Sequence, residues 1–348
     1  MADEFRIEGC HGTIAEQKDE AFYDDRSDAS DDEEKGKIKF PTRLYGREKE
    51  LDGLKKLYAG LLASEVDDRD DKVLKSQIVF LSGYSGVGKS TLIKEFVKQL
   101  RGSKNRPNKT NHNKTIYGAG KYSEQNSASS PFFAIIEVLE TLANELSEAN
   151  DSSDTATEQR EKVRESIRQS DLIGPGKEGD LILRATFPVL TPLLDSCVAV
   201  VANDKGANED LTVHPTMSAI KECTLQLLCA ICRALDNPLI IFLDDLQWAD
   251  EASMDMLNVL LTSSALKNLM FICAYRSNEV DVEHSFCKLM DNVAKGDESV
   301  EKMELFSLSP TSITSFIADS VKKEEDTEMK ELSSAVYQTT MGNIFFTK

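Results

Sequence analysis

Two kinds of apolar spacing alternate along the chain. Apolar residues three and four positions apart predict helices in five segments, at residues 51–62, 92–100, 131–146, 158–169 and 217–235. Compact apolar runs, which are typical of buried strands, occur at residues 77–81, 115–119, 239–243, 271–274 and 303–308. The alternation predicts an α/β fold in which helices cover both faces of a parallel sheet.

The pattern changes after Ser309. Apolar residues keep helical spacing over residues 313–321 and 329–336, and no further strand is indicated. Two or three helices are therefore expected in this part of the chain. We predict a core over residues 39–308, followed by a small helical lid over residues 309–348 that is incomplete in this chain.

The first 38 residues differ from the rest in composition. They are strongly acidic, and the run over residues 24–34 has too little apolar surface to offset the entropy of ordering it. We therefore interpret residues 1–38 as an acidic disordered tail.

The charge of the chain narrows the classes of partner. The formal net charge is −19. This charge disfavours a general electrostatic attraction to nucleic acid or to anionic lipid. A nucleic-acid partner is thus not expected.

The sequence also bears on where the protein is found. Its N-terminus has no basic region followed by an apolar core, which a secretory signal needs. The longest apolar stretch, residues 187–202, contains Pro188, Pro192 and Asp195 and is too short to cross a bilayer. The 7 cysteines are scattered, which is typical of reduced core thiols. We expect a cytoplasmic protein without a membrane partner.

A glycine-rich loop follows the first predicted strand and precedes a predicted helix. From Gly83 to Ser90 it has the pattern G-x-x-x-x-G-K-S, which is the phosphate-binding loop (P-loop) in the context that this motif requires. Such a loop turns backbone N–H groups inward and adds the positive end of the next helix, an arrangement that suits a β-phosphate. The expected nucleotide contacts are Gly83, Tyr84, Ser85, Gly86, Val87, Gly88, Lys89, Ser90 and Thr91.

Two P-loop residues carry side-chain chemistry. Lys89 supplies a positive charge that can bridge the β- and γ-phosphates, so we also count it among the catalytic residues. The hydroxyl of Ser90 can take one position in the shell of Mg²⁺. ATP with Mg²⁺ is therefore the predicted ligand.

Two adjacent acids, Asp244 and Asp245, come directly after the apolar run at residues 239–243. Ligands bind at the carboxyl ends of the strands in open parallel sheets. Since an acid in this position completes the metal shell of P-loop enzymes, Asp244 is predicted to hold Mg²⁺ together with Ser90. Asp245 is the candidate base that orients or deprotonates the attacking water. Capping of the next helix is the alternative for both acids and the preferred role of Asp250.

Several motifs, taken in order, resemble one family. They are Leu44-Tyr45-Gly46-Arg47-Glu48, the P-loop, Gly120-Lys121-Tyr122, Leu243-Asp244-Asp245-Leu246-Gln247-Trp248-Ala249-Asp250, Ala274-Tyr275-Arg276-Ser277-Asn278-Glu279-Val280 and Thr340-Met341-Gly342-Asn343-Ile344-Phe345-Phe346. From about residue 40 onward the chain resembles the nucleotide-binding module of AAA+ and STAND-type ATPases, in particular the origin-recognition-complex-like AAA domain of signalling proteins. The resemblance implies the P-loop NTPase fold, a three-layer α/β/α parallel sheet followed by a small helical lid.

The resemblance also implies roles outside the P-loop. Tyr45, Gly46 and Arg47 would pass near the adenine, although a purely structural role is an equal alternative for Arg47. Arg276 would be a catalytic residue that senses the γ-phosphate, because an arginine there can stabilise charge on the transferred group. A surface ion pair is the alternative for Arg276. Ile344 stands where members of this family commonly carry proline, which argues against a nucleotide contact by the lid.

Three functional hypotheses follow from these patterns. The first is an ATP-dependent switch in a signalling or regulatory protein, which hydrolyses ATP slowly to ADP and engages protein partners or further copies of itself. The second is a nucleotide-dependent DNA-loading factor, which the acidic charge does not favour. The third is a scaffold that retains ATP without cleaving it.

Overall fold

A computed structural model describes most of the chain. The described residues are 41, 43–64, 76–102, 115–127, 130–147, 154–198, 215–296, 299–322 and 326–347. The predicted acidic tail over residues 1–38 lies outside them. Within the described part, no helix combines the length and the apolar character needed to cross a membrane.

A sheet of five parallel strands forms the centre of the fold, in the order β2-β3-β4-β1-β5. The strands are β1 Gln77–Gly83, β2 Tyr117–Lys121, β3 Leu239–Asp244, β4 Leu269–Tyr275 and β5 Ser299–Leu305. Because all five run in the same direction, the carboxyl ends of β1, β3 and β4 meet at one edge of the sheet. This edge carries the P-loop, the acidic pair and Arg276.

Two strands are displaced from their predicted positions. β5 begins four residues earlier than predicted and ends at Leu305. It is an edge strand with solvent-facing polar residues, so its sequence does not form the apolar run by which we located strands. Leu308, which we had placed in this strand, packs against the lid instead. β2 is shifted by two residues and ends at Lys121.

Helices lie on both sides of the sheet and beyond its last strand. The described helices are α1 Glu48–Ser64, α2 Lys89–Gly102, α3 Glu124–Ser127, α4 Phe133–Ser147, α5 Asp154–Arg168, α6 Glu178–Thr186, α7 Thr191–Val198, α8 Met217–Ala234, α9 Glu251–Thr262, α10 Ser285–Lys295, α11 Pro310–Val321, α12 Thr327–Thr340 and α13 Ile344–Thr347. Asp250 caps α9 by accepting a hydrogen bond from the Ser253 N–H at 2.8 Å, which is the role that we preferred for this acid.

Alternate residues of the strands bury their side chains in two separate cores. On one face Val79, Ile240 and Ile272 pack against α1 and α2. On the other face Ile241 and Phe271 pack against the layer formed by α4 to α10. Successive strand residues point to opposite faces, so near-continuous apolar runs are what a sheet covered on both sides requires. The three-layer α/β/α fold is confirmed.

The lid has an apolar cluster of its own, formed by α11, α12 and the segments beside them. Ile313, Phe316 and Met329 are buried in it, together with Leu308 from the core side. The N–H of Leu308 donates to the carbonyl of Gly342 at 2.9 Å, which joins the start of the lid to its last turn. The helices expected after Ser309 are therefore present, and no strand interrupts them in the described residues.

Replacement of Gly120 tests the packing of α4 on β2. A Cβ built on Gly120 would lie 1.9 Å from the carbonyl oxygen of Ala134 in α4, so the helix would have to move away from the sheet. We expect Gly120→Ala to lower the free energy of unfolding by about 1–3 kcal/mol, as overpacking does. Urea unfolding followed by circular dichroism measures the change.

Gly60→Ala is the matched control. Gly60 lies in α1, and a Cβ built there has no atom within 4 Å. Alanine should therefore raise the stability by about 0.5–1 kcal/mol through its helix propensity. Equal stability of Gly120→Ala and the wild type would contradict the close approach of α4 to β2.

Candidate nucleotide-binding site

The P-loop is the turn that joins β1 to α2. Strand β1 ends at Gly83 and α2 begins at Lys89. Gly86 has a φ of 78°, and a Cβ there would lie 2.6 Å from Oδ1 of Asn343. The loop therefore needs glycine at this position both for its backbone conformation and for the close approach of the lid.

Lys89 is held inside the loop. Its Nζ donates to the carbonyl oxygens of Gly83 at 2.8 Å and of Tyr84 at 3.0 Å. Burial lowers the pKa of Lys89, while the nearby carboxylates of Asp244 and Asp245 oppose this shift. The ammonium group is thus already positioned where a phosphate chain would lie against the loop.

Ser90 and Asp244 form a pair of oxygen ligands. The Ser90 hydroxyl donates to Oδ2 of Asp244 at 2.5 Å, although β4 lies between β3, which ends at Asp244, and β1, which leads into the helix of Ser90. Burial raises the pKa of Asp244, and the negative charge of Asp245 raises it further. The hydroxyl and the carboxylate lie in contact, and both are oxygen ligands of the kind that Mg²⁺ prefers. The two residues therefore fit the predicted metal role.

Asp245 follows β3 in a left-handed backbone conformation, with a φ of 55°. Its Oδ1 accepts hydrogen bonds from Nε2 of Gln247 and from Nε of Arg276, both at 3.0 Å. Its Oδ2 lies 3.4 Å from Nη2 of Arg276 and 3.7 Å from Nζ of Lys121. Both oxygens of the candidate base therefore have cationic partners.

Arg276 follows β4 and makes ion pairs with two acids. Besides its contact with Asp245, its Nη1 donates to Oε1 of Glu279 at 2.8 Å. Its guanidinium lies 4.2 Å from the centre of the Trp248 ring, which adds a cation–π contact. Arg276 thus forms ion pairs, as the alternative for this arginine expected, and it also lies at the edge of the P-loop cavity.

One cavity of about 230 Å³ brings the predicted phosphate and metal residues together. Its lining includes Ser85, Gly86, Gly88, Lys89, Ser90, Thr91, Asp244, Asp245 and Arg276. Lys121 and the lid residues Ile344 and Phe345 complete it. Gly83 and Tyr84 are not among the lining residues and contact the site through Lys89.

A second cavity of about 380 Å³ lies beside the first and holds part of the predicted adenine contacts. Tyr45, Arg47 and Val87 line it, whereas Gly46 does not. Gly46 packs against the lid, since a Cβ there would meet Oγ of Ser312 at 2.4 Å. The two cavities share Gly88, Thr91 and Ile344, so they lie side by side, and we refer to them together as the recess.

The side chains of Tyr45 and Arg47 are already engaged by the protein. Nη2 of Arg47 donates to the carbonyl oxygens of Val87 at 2.9 Å and of Phe306 at 2.5 Å, which fastens the P-loop to the segment after β5. The Tyr45 hydroxyl donates to Asp319 at 2.6 Å. Burial together with this hydrogen bond raises the pKa of Tyr45 to about 12. The arginine therefore has a structural role, and the tyrosine links the core to the lid.

The lid contacts the P-loop directly. Nδ2 of Asn343 donates to the carbonyl of Ser85 at 2.8 Å, and Oδ1 of Asn343 accepts from the Phe345 N–H at 3.0 Å. Ile344 lines both cavities in the position where proline is common. Contact between the lid and the loop thus does not depend on proline in this chain.

Sequence reasoning assigned no role to three residues that complete the site, namely Lys121, Gln247 and Asn343. Each lies in a motif that carried the family resemblance, but none has a residue type or spacing that signals phosphate chemistry. Their importance follows from partners distant in the chain, which the spacing of residues along a sequence does not reveal.

Comparisons with known proteins identify the family of the chain. The model of the AAA ATPase domain family matches residues 43–272, which is well over half of the chain. Among curated proteins, none matches.

Three solved structures are similar to the chain at low sequence identity. A STAND protein with a tetratricopeptide repeat sensor from Pyrococcus horikoshii is 15% identical with a TM-score of 0.37, and the match covers 88% of this chain and 29% of that one. A Walker-type ATPase of Pyrococcus abyssi is 12% identical with a TM-score of 0.43, and the match covers 89% of this chain and 69% of that one. A chain of the Escherichia coli HORMA:CdnC:Trip13 complex is 10% identical with a TM-score of 0.35, and the match covers 84% of this chain and 74% of that one.

The present chain therefore spans less than a third of the length of the STAND protein. Its family is established by the match over residues 43–272. The chain belongs to the AAA ATPase domain family.

Proposed function

We propose that this chain binds ATP with Mg²⁺, hydrolyses it slowly to ADP and phosphate, and acts as a nucleotide-dependent switch in a signalling or regulatory protein. The observation that carries the proposal is the meeting of Lys89, Ser90, Asp244 and Asp245 in one cavity. These residues come from the ends of two strands that are not neighbours in the sheet, so their convergence is a property of the fold.

Each residue has a part in this mechanism. The triphosphate lies along the P-loop, with Lys89 between the β- and γ-phosphates. Ser90 and Asp244 would hold Mg²⁺, which would supply positive charge to neutralise the phosphate oxygens. Asp245 takes a proton from water as the water oxygen bonds to the γ-phosphorus. The bond from the γ-phosphorus to the β–γ bridging oxygen then breaks, and ADP carries the leaving electron pair.

Arg276 has two alternative partners in this proposal. In the structure it pairs with Asp245 and Glu279. A γ-phosphate at the P-loop competes for the same guanidinium, and its charge favours the exchange. Arg276 would then sense the γ-phosphate, and one oxygen of Asp245 becomes available to water. Loss of the γ-phosphate after hydrolysis restores the original pairing.

The lid supplies the output of the switch. The base occupies the larger cavity, beside Tyr45, Arg47 and Ile344, while the phosphates occupy the smaller one. The γ-phosphate would lie in the smaller cavity, which Ile344 and Phe345 of the lid help to line, so ATP and ADP would make different contacts with the lid. A ligand shifts a conformational equilibrium by its difference in affinity for the two states. The displaced lid is the surface that protein partners or further copies of the chain would recognise.

A turnover assay on the purified chain tests this proposal. With ATP and Mg²⁺ we expect phosphate release well below the enzyme median of about 10 s⁻¹, and we expect EDTA to abolish it. Hydrogen exchange of the lid amides should differ between ADP and a non-hydrolysable ATP analogue. Tight binding of ATP without phosphate release would favour the scaffold hypothesis, and identical lid exchange with both nucleotides would argue against a switch.

A further inference from the structure

Gln247 lies in the short turn after β3, next to the candidate base, and is buried. Its Nε2 donates to Oδ1 of Asp245 at 3.0 Å, and its Oε1 accepts from the backbone N–H of Arg276 at 3.1 Å. One amide side chain therefore connects the carboxyl ends of β3 and β4.

The orientation of this amide is determined by its partners. A carboxylate can only accept and a backbone N–H can only donate, so exchanging the nitrogen and oxygen of Gln247 would lose both hydrogen bonds. A neutral glutamine is the residue that satisfies both partners without adding charge beside Asp245. Arginine or lysine could not accept from the Arg276 N–H, and an ionised glutamate could not donate to Asp245.

The main chain of Gln247 is also held in place. Its carbonyl oxygen lies 3.2 Å from Nε2 of His284, whose Nδ1 accepts from the Phe286 N–H at the start of α10. Because Nδ1 acts as an acceptor, a neutral imidazole carries its proton on Nε2, which then donates to Gln247. The turn is thus fixed to α10 while the side chain of Gln247 is fixed to β4.

We propose that Gln247 is a positioning residue that keeps the carboxylate of Asp245 directed at the attacking water. The need arises because Oδ1 of Asp245 is shared between Gln247 and Arg276. When Arg276 turns to the γ-phosphate, Asp245 loses its closest charged partner. The exposed Lys121 stays 3.7 Å from Oδ2, and the Gln247 amide provides the hydrogen bond that still holds Oδ1. The inference rests on the proposed function and adds a residue that acts through Asp245 without touching ATP.

Two substitutions separate this role from packing. Gln247→Met keeps much of the side-chain volume and removes both hydrogen bonds. Gln247→Glu keeps the size and the acceptor for Arg276, but places a second carboxylate against Asp245. Gln226→Met is the control, since Gln226 lies on α8 and its amide donates to Glu222 of the same helix at 3.0 Å.

Phosphate release in a single turnover and the dissociation constant for ATP are measured for all four proteins. We expect both Gln247 variants to release phosphate about 100-fold more slowly, as a misdirected catalytic group does. Their affinity for ATP should stay within about twofold of the wild type, because Gln247 acts on turnover and not on binding. Gln226→Met should match the wild type in both quantities.

Several outcomes would overturn the inference. Wild-type turnover by either Gln247 variant would show that Asp245 does not depend on this amide. A parallel loss of ATP affinity and turnover would assign Gln247 a role in folding or packing. If the wild type released no phosphate at all, the proposed function would fail together with the inference, whereas equal turnover in all four proteins would overturn the inference alone.

Discussion

Lys89→Ala is expected to weaken ATP binding by about 100-fold or more. The ammonium group of Lys89 lies inside the loop and contacts two loop carbonyls at 2.8 and 3.0 Å. Charge-assisted hydrogen bonds contribute about 1.5–3 kcal/mol each, so losing contacts to two phosphates costs about 3 kcal/mol or more. That loss corresponds to more than two powers of ten in the dissociation constant.

Isothermal titration with ATP and Mg²⁺ measures this effect. Lys56→Ala on the exposed side of α1 is a matched control, because it removes the same charge away from the site. The control should bind ATP with the wild-type dissociation constant. If Lys89→Ala bound ATP as tightly as the wild type, the assignment of the P-loop as the phosphate site would be wrong.

The parts of the site that the sequence could predict are those that local chain geometry determines. A glycine loop between a strand and a helix leaves little freedom for Lys89, and the structure places it inside the loop as expected. Asp244 was predictable because an apolar run ends at it, and the ends of parallel strands lie at one edge of the sheet. Both predictions need only the type and direction of a strand.

The pairing of Arg276 with Asp245 could not be predicted in the same way. The two residues are 31 positions apart, and their contact depends on β4 lying next to β3 in the sheet. The same limit applies to Arg47, whose partner Phe306 is 259 positions away. The family resemblance implied that both arginines lie near the nucleotide, but their bonding partners follow from the order of the strands.

Missed and displaced elements have local causes. The periodicity did not predict α6 and α7, which have 9 and 8 residues and are too short to show a convincing helical repeat. Pro192 is the second residue of α7, where the missing N–H costs no helical hydrogen bond. Strand β5 was displaced because its exposed polar residues resemble a loop.

The three residues that the family resemblance placed near the adenine differ in position. Tyr45 and Arg47 line the larger cavity. Gly46 does not, because its φ of 59° turns the chain there and packs it against Ser312 of the lid. The motif therefore lies beside the larger cavity, while the contacts of each of its residues depend on how the lid packs against it.

Asp245→Asn is expected to slow ATP hydrolysis by about 10²- to 10⁴-fold, the range that a general base contributes. Asparagine keeps the shape of the side chain and can still accept a hydrogen bond from Gln247, but it cannot take a proton from water. It also loses the ion pair with Arg276, which lies at 3.0 Å in this structure. With that pair weakened and a negative charge removed near the γ-phosphate, ATP binding should be retained or strengthened.

Slow hydrolysis with retained ATP binding distinguishes Asp245→Asn from Lys89→Ala. Asp245→Asn should lose turnover and keep ATP binding, whereas Lys89→Ala should lose both turnover and ATP binding. Single-turnover phosphate release and ATP titration measure the two quantities on the same preparations. Asp255→Asn is the control, because Asp255 is an exposed acid on α9 that pairs with Lys221 at 2.9 Å. Unchanged hydrolysis by Asp245→Asn would exclude it as the base. Weaker binding of ATP would show that Arg276 does not transfer from Asp245 to the γ-phosphate, because releasing the arginine should then have favoured ATP.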